Sequence, residues 1–205
     1  MNDNNGAGNL FVFSGPSGTG KSTIVNQILE IRDDTTFSVS ATTREKREGE
    51  VHGVNYYFVD RETFSEMIQN NELLEYAEYV NNLYGTPKKP VIEQLSQGKN
   101  VILDIEVQGA DQIKKQYPDA ILIFIVPPSL KELEQRLINR GTDSEERIAQ
   151  RMQQAKKEFS RIGNYDYIVV NDVLETAIDE ALSIISAQDY KYSNRKIEIM
   201  EAYKS

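Results

Sequence analysis

The chain has 205 residues, 39% of them hydrophobic, with 32 acidic and 23 basic side chains and a net charge of −9. That length predicts one domain, or one core with inserted pieces; the acidic balance argues against bulk binding to nucleic acid, which needs a basic face. No cysteine and a single histidine, His52, exclude disulfides, thiolate metal sites and histidine clusters, and the longest apolar run, 120–126, is far short of a membrane span. Residues 1–8 are polar and rich in Asn and Gly, without a basic start or an apolar stretch, and read as a flexible tail, not a signal peptide. The expectation is a soluble, cytoplasmic protein with no membrane or nucleic-acid partner.

Strand-like runs follow at Leu10–Phe13, Thr36–Ser40, Val101–Ile105, Ala120–Val126 and Tyr167–Val170. Several are continuous and β-branched, as strands buried on both faces of a parallel sheet are. Helical periodicity fills the gaps at Ser22–Ile31, Val107–Gln116 and Ser129–Asn139, and a last helix starts near Glu175. The alternation predicts an α/β fold with a parallel-sheet core and helices on both faces. Ser129-x-x-Glu132 and Thr142-x-x-Glu145 each have the spacing of a capping box. They predict that one helix stops near Arg140 and another starts near Ser144. Between Ala41 and about Gly98 the chain is charged and rich in tyrosine. Val54–Val59 and Leu73–Tyr79 read there as strands of a smaller, half-exposed sheet, and Arg61–Asn70 as a helix, so the region is an insertion in the core.

The run Gly15-Pro16-Ser17-Gly18-Thr19-Gly20-Lys21-Ser22 fits the phosphate-binding pattern G-x-x-x-x-G-K-[ST] without a mismatch. It stands between a buried strand and a helix with Ile24, Val25, Ile28 and Leu29 on one face, which is the context the pattern requires. Backbone N–H groups and the helix N-terminus can cradle phosphate oxygens. Lys21 can reach the β- and γ-phosphates, and the Ser22 hydroxyl can ligate Mg²⁺. A second anion site is suggested by Arg44 and Arg47, three residues apart among hydroxyls in an otherwise acidic chain. Tyr56 and Tyr84 could each donate a phenol O–H to the same phosphate. Glu75 could accept the adjacent N1–H and amino group of guanine. Alternation along residues 73–76 leaves it equally able to face solvent. Arg136 and Arg140 share one helix face, Arg147 and Arg151 the next; pairing with Glu132, Glu145 or Glu146 is the competing reading for them.

GPSGTGKS at 15–22, SVSATTREKREGEVHGVNYYF at 38–58, NNELLEYAEY at 70–79, YGTP at 84–87, VILDIEVQGA at 101–110, PPSL at 127–130, RLINRGTDSEERIAQR at 136–151 and VVND at 169–172 together resemble guanylate kinase, over about residues 9–188. The resemblance implies the P-loop nucleoside-monophosphate-kinase fold: a core of 9–39, 99–135 and 164–188, a GMP-binding insertion of 40–98 and a helical lid of 136–163. Residues 189–205 would be a C-terminal helical extension that could pack on a neighbouring copy, making a homo-oligomer. It implies ATP-dependent phosphorylation of GMP, and of dGMP, with Mg²⁺. Ser40, Arg44, Arg47, Tyr56 and Tyr84 would hold the GMP phosphate; Glu75, Thr86 and Glu106 would read or position the nucleoside end. Gly15 to Thr23 and Asn171 would lie on the ATP side, with Asn171 near the adenine. Ser22 and Asp104 would hold Mg²⁺, partly through water. Lys21, Arg44, Arg136, Arg140 and Arg151 would act on the moving phosphoryl group. Thr86 and Glu106 stand where the family often has serine and aspartate, which keeps each functional group but alters its reach.

Three alternatives stand beside this reading. A kinase for another nucleoside monophosphate is disfavoured by Glu75 and the Tyr84–Thr86 turn. A guanylate-kinase-like module that binds phosphorylated partners without catalysis tends to lose the loop lysine and glycines, all present in this chain. A nucleotide switch would carry an N-K-x-D motif, and none occurs.

Overall fold

A computed structural model of the chain describes residues 7–79, 81–141, 143–191, 200 and 202–203. Strand β1 (Leu10–Ser14) leads through the glycine loop into α1 (Lys21–Ile31) and β2 (Thr35–Phe37). The inserted region contributes β3 (Ala41–Thr42), β4 (Tyr57–Phe58), α2 (Arg61–Gln69), β5 (Leu73–Tyr79), β6 (Asn82–Pro87) and α3 (Lys88–Ser96). The core resumes with β7 (Asn100–Asp104), α4 (Val107–Gln116) and β8 (Ile121–Val126). Helices α5 (Leu130–Asn139) and α6 (Glu145–Phe159), β9 (Tyr167–Val170) and α7 (Leu174–Asp189) complete it.

Five parallel strands form the main sheet in the order β2-β7-β1-β8-β9. Alternate residues of β1 serve opposite faces. Phe11 and Phe13 pack with Ile24, Val25 and Ile28 of α1 and Ala181 and Ile185 of α7, whereas Leu10 and Val12 pack with Val91 of α3 and Ala110 and Ile113 of α4. Each large side chain fully buried in this way contributes about 2–3 kcal/mol. Both faces are covered, which explains the unbroken apolar run of β8, buried at all six positions. Strand β1 is central. Its connection through α1 leads to β2 on one side, and the connection of β7 through α4 leads to β8 on the other. The carboxyl ends of β1 and β7 therefore border the crevice in which open α/β sheets take ligands.

The sequence-based boundaries shift where the chain changes sheets. The expected strand Thr36–Ser40 ends at Phe37; Ser38 still donates its N–H to Ile102, but Ala41–Thr42 pairs in a second sheet of order β4-β3-β6-β5. The expected strand Val54–Val59 shrinks to Tyr57–Phe58, because Val54 and Asn55 donate back to the Val51 carbonyl in a turn. Ser129 caps α5 by accepting the Glu132 N–H at 3.1 Å. The second capping box does not form as read: α6 starts at Glu145 and its cap is Ser144, so Glu145 is one position past the cap instead of three. Thr142 lies outside the described residues, as do 192–199 of the expected C-terminal extension. No helix among the described residues is long and apolar enough to cross a membrane.

Candidate active site

The glycine loop spans the gap between β1 and α1. Gly20, with φ of 85°, stands just before α1, which has no side-chain cap and no acidic residue in its first turn. Its first N–H groups are therefore open to an anion. Asn171, buried after β9, donates its side-chain amide to the Thr19 carbonyl at 2.7 Å and ties the loop from beneath. A β-carbon on Gly20 would lie 2.3 Å from that amide nitrogen, so the brace needs glycine there. From above, Arg151 of α6 donates to Ser17 Oγ at 2.9 Å.

Lys21 forms an ion pair with Asp104, the last residue of β7, whose register partner on β1 is Phe13. Burial works against the charge on Lys21, but Asp104 and then Glu106 outweigh it and hold its pKa above the ordinary lysine value. Ser22 Oγ stands 3.4 Å from the other Asp104 oxygen. Among the described residues no group of three or more His, Cys, Asp or Glu is placed to hold a metal ion.

Across from the loop lies the second sheet. The Arg44 guanidinium sits 5.4 Å from the centre of the Tyr56 ring and 5.7 Å from that of Phe58, and the Tyr56 and Tyr84 rings meet edge to face at 6.0 Å. Ser40, Tyr56 and Tyr84 line the cavity that contains the glycine loop, while Arg44 and Arg47 line the adjoining one.

Glu75 is only 4% exposed. The pairing of β5 with β6 is irregular between Leu73 and Tyr76, so Leu74 and Glu75 both turn inward and the solvent-facing alternative is ruled out. Thr86, fully buried on β6, donates its hydroxyl to Glu75 at 2.7 Å. Burial raises the Glu75 pKa to about 7 against the pull of that bond. A β-carbon on Gly109 of α4 would fall 2.2 Å from Glu75 Oε2. Glu106, at the start of α4, is likewise pushed up to about 7 by burial, with Lys21 pulling the other way.

Helices α5 and α6 pack through Leu133, Leu137 and Ala155, with Ile148, Met152 and Phe159 around them. Arg140 and Arg151 reach the glycine-loop cavity and Arg147 the adjoining one. Arg147 and Arg151 both pair with Asp143, at 3.2 and 3.4 Å, and not with Glu145 or Glu146. Arg136 reaches neither cavity and pairs with Glu132 one turn back, at 2.9 Å. The two cavities, about 370 and 610 Å³, share Tyr79, Tyr84, Glu106 and Arg151 and make one cleft. Glu50, Asp143 and Gly109 carry no role in the sequence reading. Of the three only Gly109 has a local signal, since a glycine inside a helix marks a close approach.

The guanylate kinase family model matches residues 7–188. Curated guanylate kinases from Carboxydothermus hydrogenoformans and from a strain of Thermus thermophilus are each 51% identical. They cover 90% and 95% of this chain, and 90% and 87% of their own lengths are matched. The crystal structure of guanylate kinase from Anaplasma phagocytophilum aligns with a TM-score of 0.80 at 33% identity, over 97% of this chain and 96% of that one. With the parallel core, the glycine loop and the second sheet in place, the chain belongs to the guanylate kinase family.

Proposed function

We propose that the cleft binds ATP and GMP end to end and that this chain transfers the γ-phosphoryl group directly between them, ATP + GMP ⇌ ADP + GDP, accepting dGMP as well. The observation that carries the reading is the buried Glu75 carboxylate, held by Thr86 at 2.7 Å in a cavity that also contains the glycine loop. When ionised, that carboxylate accepts the N1–H and 2-amino group of guanine side by side. Adenine offers neither donor and would leave a buried charge unpaired. A bidentate base contact discriminates by about 1–3 kcal/mol, and more where a charge is stranded without water. Glu106 completes the nucleoside end, and Ser40, Arg44, Arg47, Tyr56 and Tyr84 take the GMP phosphate.

On the donor side, residues 15–23 wrap the ATP phosphates with backbone N–H groups, Lys21 and the α1 N-terminus. Asn171 sits on this side too, holding the loop beside the adenine. Ser22 and Asp104 offer hard oxygen donors 3.4 Å apart, and Asp104 already carries a cationic partner in Lys21. They fit Mg²⁺, which takes one or two protein oxygens and completes its shell with water and phosphate. Bound there, Mg²⁺ supplies charge neutralisation on the phosphate oxygens. The acceptor is a phosphate monoester whose second pKa is about 6, so it is a dianion near neutral pH and no general base is required. The protein aligns the two anions and cancels charge with Lys21, Arg44, Arg140, Arg151 and, after lid closure, Arg136. Such an enzyme serves purine nucleotide metabolism in the cytoplasm.

The test is ADP formation from ATP and Mg²⁺ with GMP, AMP, CMP, UMP or dTMP offered singly, beside a control without acceptor. Rapid turnover with GMP alone is expected, and Glu75→Gln should reduce the preference for GMP over AMP by at least an order of magnitude. A variant that keeps the full preference would remove Glu75 from guanine recognition.

A further inference from the structure

Arg44 carries five N–H donors in a planar fork, and most of them are already committed. Its Nη1 donates to the Glu45 carbonyl at 2.8 Å and to Glu50 Oε2 at 3.0 Å. Its Nη2 donates to Glu50 Oε1 at 2.7 Å. Glu50 thus grips the far end of the guanidinium with both oxygens, while the aromatic rings of Tyr56 and Phe58 flank it. Three donors are consumed. Tyr84 also hydrogen-bonds with the guanidinium. The other two donors, on Nε and the outer side of Nη2, point the same way and form one bidentate edge, the shape that matches two oxygens of a phosphate. Glu50 Oε2 also accepts the backbone N–H of Arg47 at 2.8 Å. One carboxylate therefore fixes the side chain of the first arginine and the main chain of the second.

We infer that Glu50 is a positioning residue for the GMP phosphate: it holds Arg44 in the orientation that presents its Nε–Nη2 edge, and it closes the 44–50 loop so that Arg47 faces the same anion. This rests on the assignment of Arg44 to the GMP phosphate made above. The physical gain is preorganisation. A free arginine side chain must freeze several torsions to bind an anion, and each immobilised side chain lowers affinity measurably. A guanidinium already held by a carboxylate and two rings has lost that freedom before the ligand arrives. The carboxylate does not have to leave, because the edge it occupies is not the edge the phosphate uses.

The experiment compares the wild-type enzyme with Glu50→Gln, Glu50→Asp, Arg44→Ala and the double variant Arg44→Ala/Glu50→Gln, measuring kcat and KM for GMP and for ATP separately. Glutamine keeps the length but loses the charge and one acceptor oxygen. Glu50→Gln should raise KM for GMP about ten-fold, which corresponds to about 1.4 kcal/mol of binding. It should lower kcat by less and leave KM for ATP unchanged. Glu50→Asp should recover part of the loss. Adding Glu50→Gln to Arg44→Ala should cost nothing further in KM for GMP, since the residue to be positioned is gone. If Arg44→Ala raises KM for GMP and Glu50→Gln does not, the positioning role is overturned and the phosphate site stands. If Glu50→Gln lowers KM for GMP, Glu50 is an internal competitor, which also overturns it. If Arg44→Ala leaves KM for GMP unchanged, the phosphate-site assignment itself falls.

Discussion

Glu75 Oε2 occupies space that a β-carbon on Gly109 would need, 2.2 Å away. The helix α4 and the strand β5 thus meet at a carboxylate on one side and a missing side chain on the other. Glycine inside a helix is about 1 kcal/mol less favourable than alanine, so on local grounds Gly109→Ala should stabilise α4. The buried carboxylate reverses that sign, since overpacking a filled site costs about 1–3 kcal/mol.

For Gly109→Ala the expected outcome is a rise in KM for GMP of at least ten-fold, about 1.4 kcal/mol, with KM for ATP retained. Adding Glu75→Asp shortens the acid and should recover melting temperature without recovering GMP affinity. Steady-state kinetics with each substrate varied in turn, beside thermal unfolding of the single and double variants, checks both parts. Unaltered GMP affinity in Gly109→Ala would mean that the carboxylate moves aside freely.

Glu75 and Glu106 both titrate near 7 in the folded enzyme because burial disfavours their charged forms, against an ordinary value of 4.5. Below pH 4.5 both states of the chain hold these groups neutral, and the stability linked to them is fully present. Between 4.5 and 7 the unfolded chain ionises first, and stability is lost as pH rises. At 1.36 kcal/mol per pKa unit the ceiling is about 3 kcal/mol for each carboxylate. Glu158, also raised by burial, acts in the same direction. Asp34 and Glu50, lowered by Arg32 and Arg44, lose their contribution only at more acidic pH. The melting temperature of the nucleotide-free enzyme should therefore fall between pH 5 and 7.5. Glu75→Gln should flatten part of that slope and melt higher at pH 7.5 while losing activity with GMP. A pH-independent melting curve for wild type would contradict the assignment.

The core and the glycine loop were legible because each rests on local pattern: unbroken β-branched runs, 3.6-residue periodicity and an eight-residue motif. Strand β6 and helix α3 were not. The Tyr84–Thr86 stretch reads as a turn, yet it runs inside β6; Pro87 ends that strand and Pro90 lies in the first turn of α3, where a missing N–H is tolerated. The inward turn of Glu75 depends on an irregular pairing with β6, which period-2 alternation cannot express. The grip of Glu50 on Arg44 is a loop contact six residues apart, with no periodicity to announce it. Arg147 and Arg151 pair with Asp143 and not with the glutamates of the competing reading, a partner just before α6 that no capping or periodicity signal singles out.

Asn171 gives a second test of how the loop is held. Its amide donates to the Thr19 carbonyl at 2.7 Å in a buried setting. Asn171→Ala leaves that carbonyl unpaired and should destabilise the fold by about 1–3 kcal/mol. It should raise KM for ATP more than KM for GMP, because the proposed function puts the slackened loop on the donor side. Chemical denaturation and two-substrate kinetics read the two effects separately. An equal rise in both KM values would indicate general loosening instead.

Lys21→Ala removes the one ammonium group that the glycine loop contributes, and leaves Asp104 without its ion-pair partner. Turnover should fall by at least two orders of magnitude, about 2.7 kcal/mol of transition-state stabilisation. GMP binding, measured calorimetrically, should stay near the wild-type value because the second sheet is untouched. Retained turnover would take Lys21 out of the mechanism.

Arg136 is the one candidate catalytic arginine that lies away from the cleft, paired with Glu132 along α5. A surface pair four residues apart on a helix is worth only about 0.3–0.5 kcal/mol, so releasing it opposes closure weakly. If α5 and α6 swing onto the nucleotides, Arg136 exchanges this carboxylate for phosphate oxygens, and its contribution is confined to the closed state. Arg136→Ala should then lower kcat by about 10- to 100-fold, roughly 1.4–2.7 kcal/mol, with both KM values little altered. Glu132→Gln should leave kcat at or slightly above wild type, because the competing pair is gone. Small-angle scattering should show a smaller radius of gyration with both nucleotide sites filled than with neither. A full kcat in Arg136→Ala, together with no compaction, would leave Arg136 as a surface residue and place the charge neutralisation on Lys21, Arg140 and Arg151 alone.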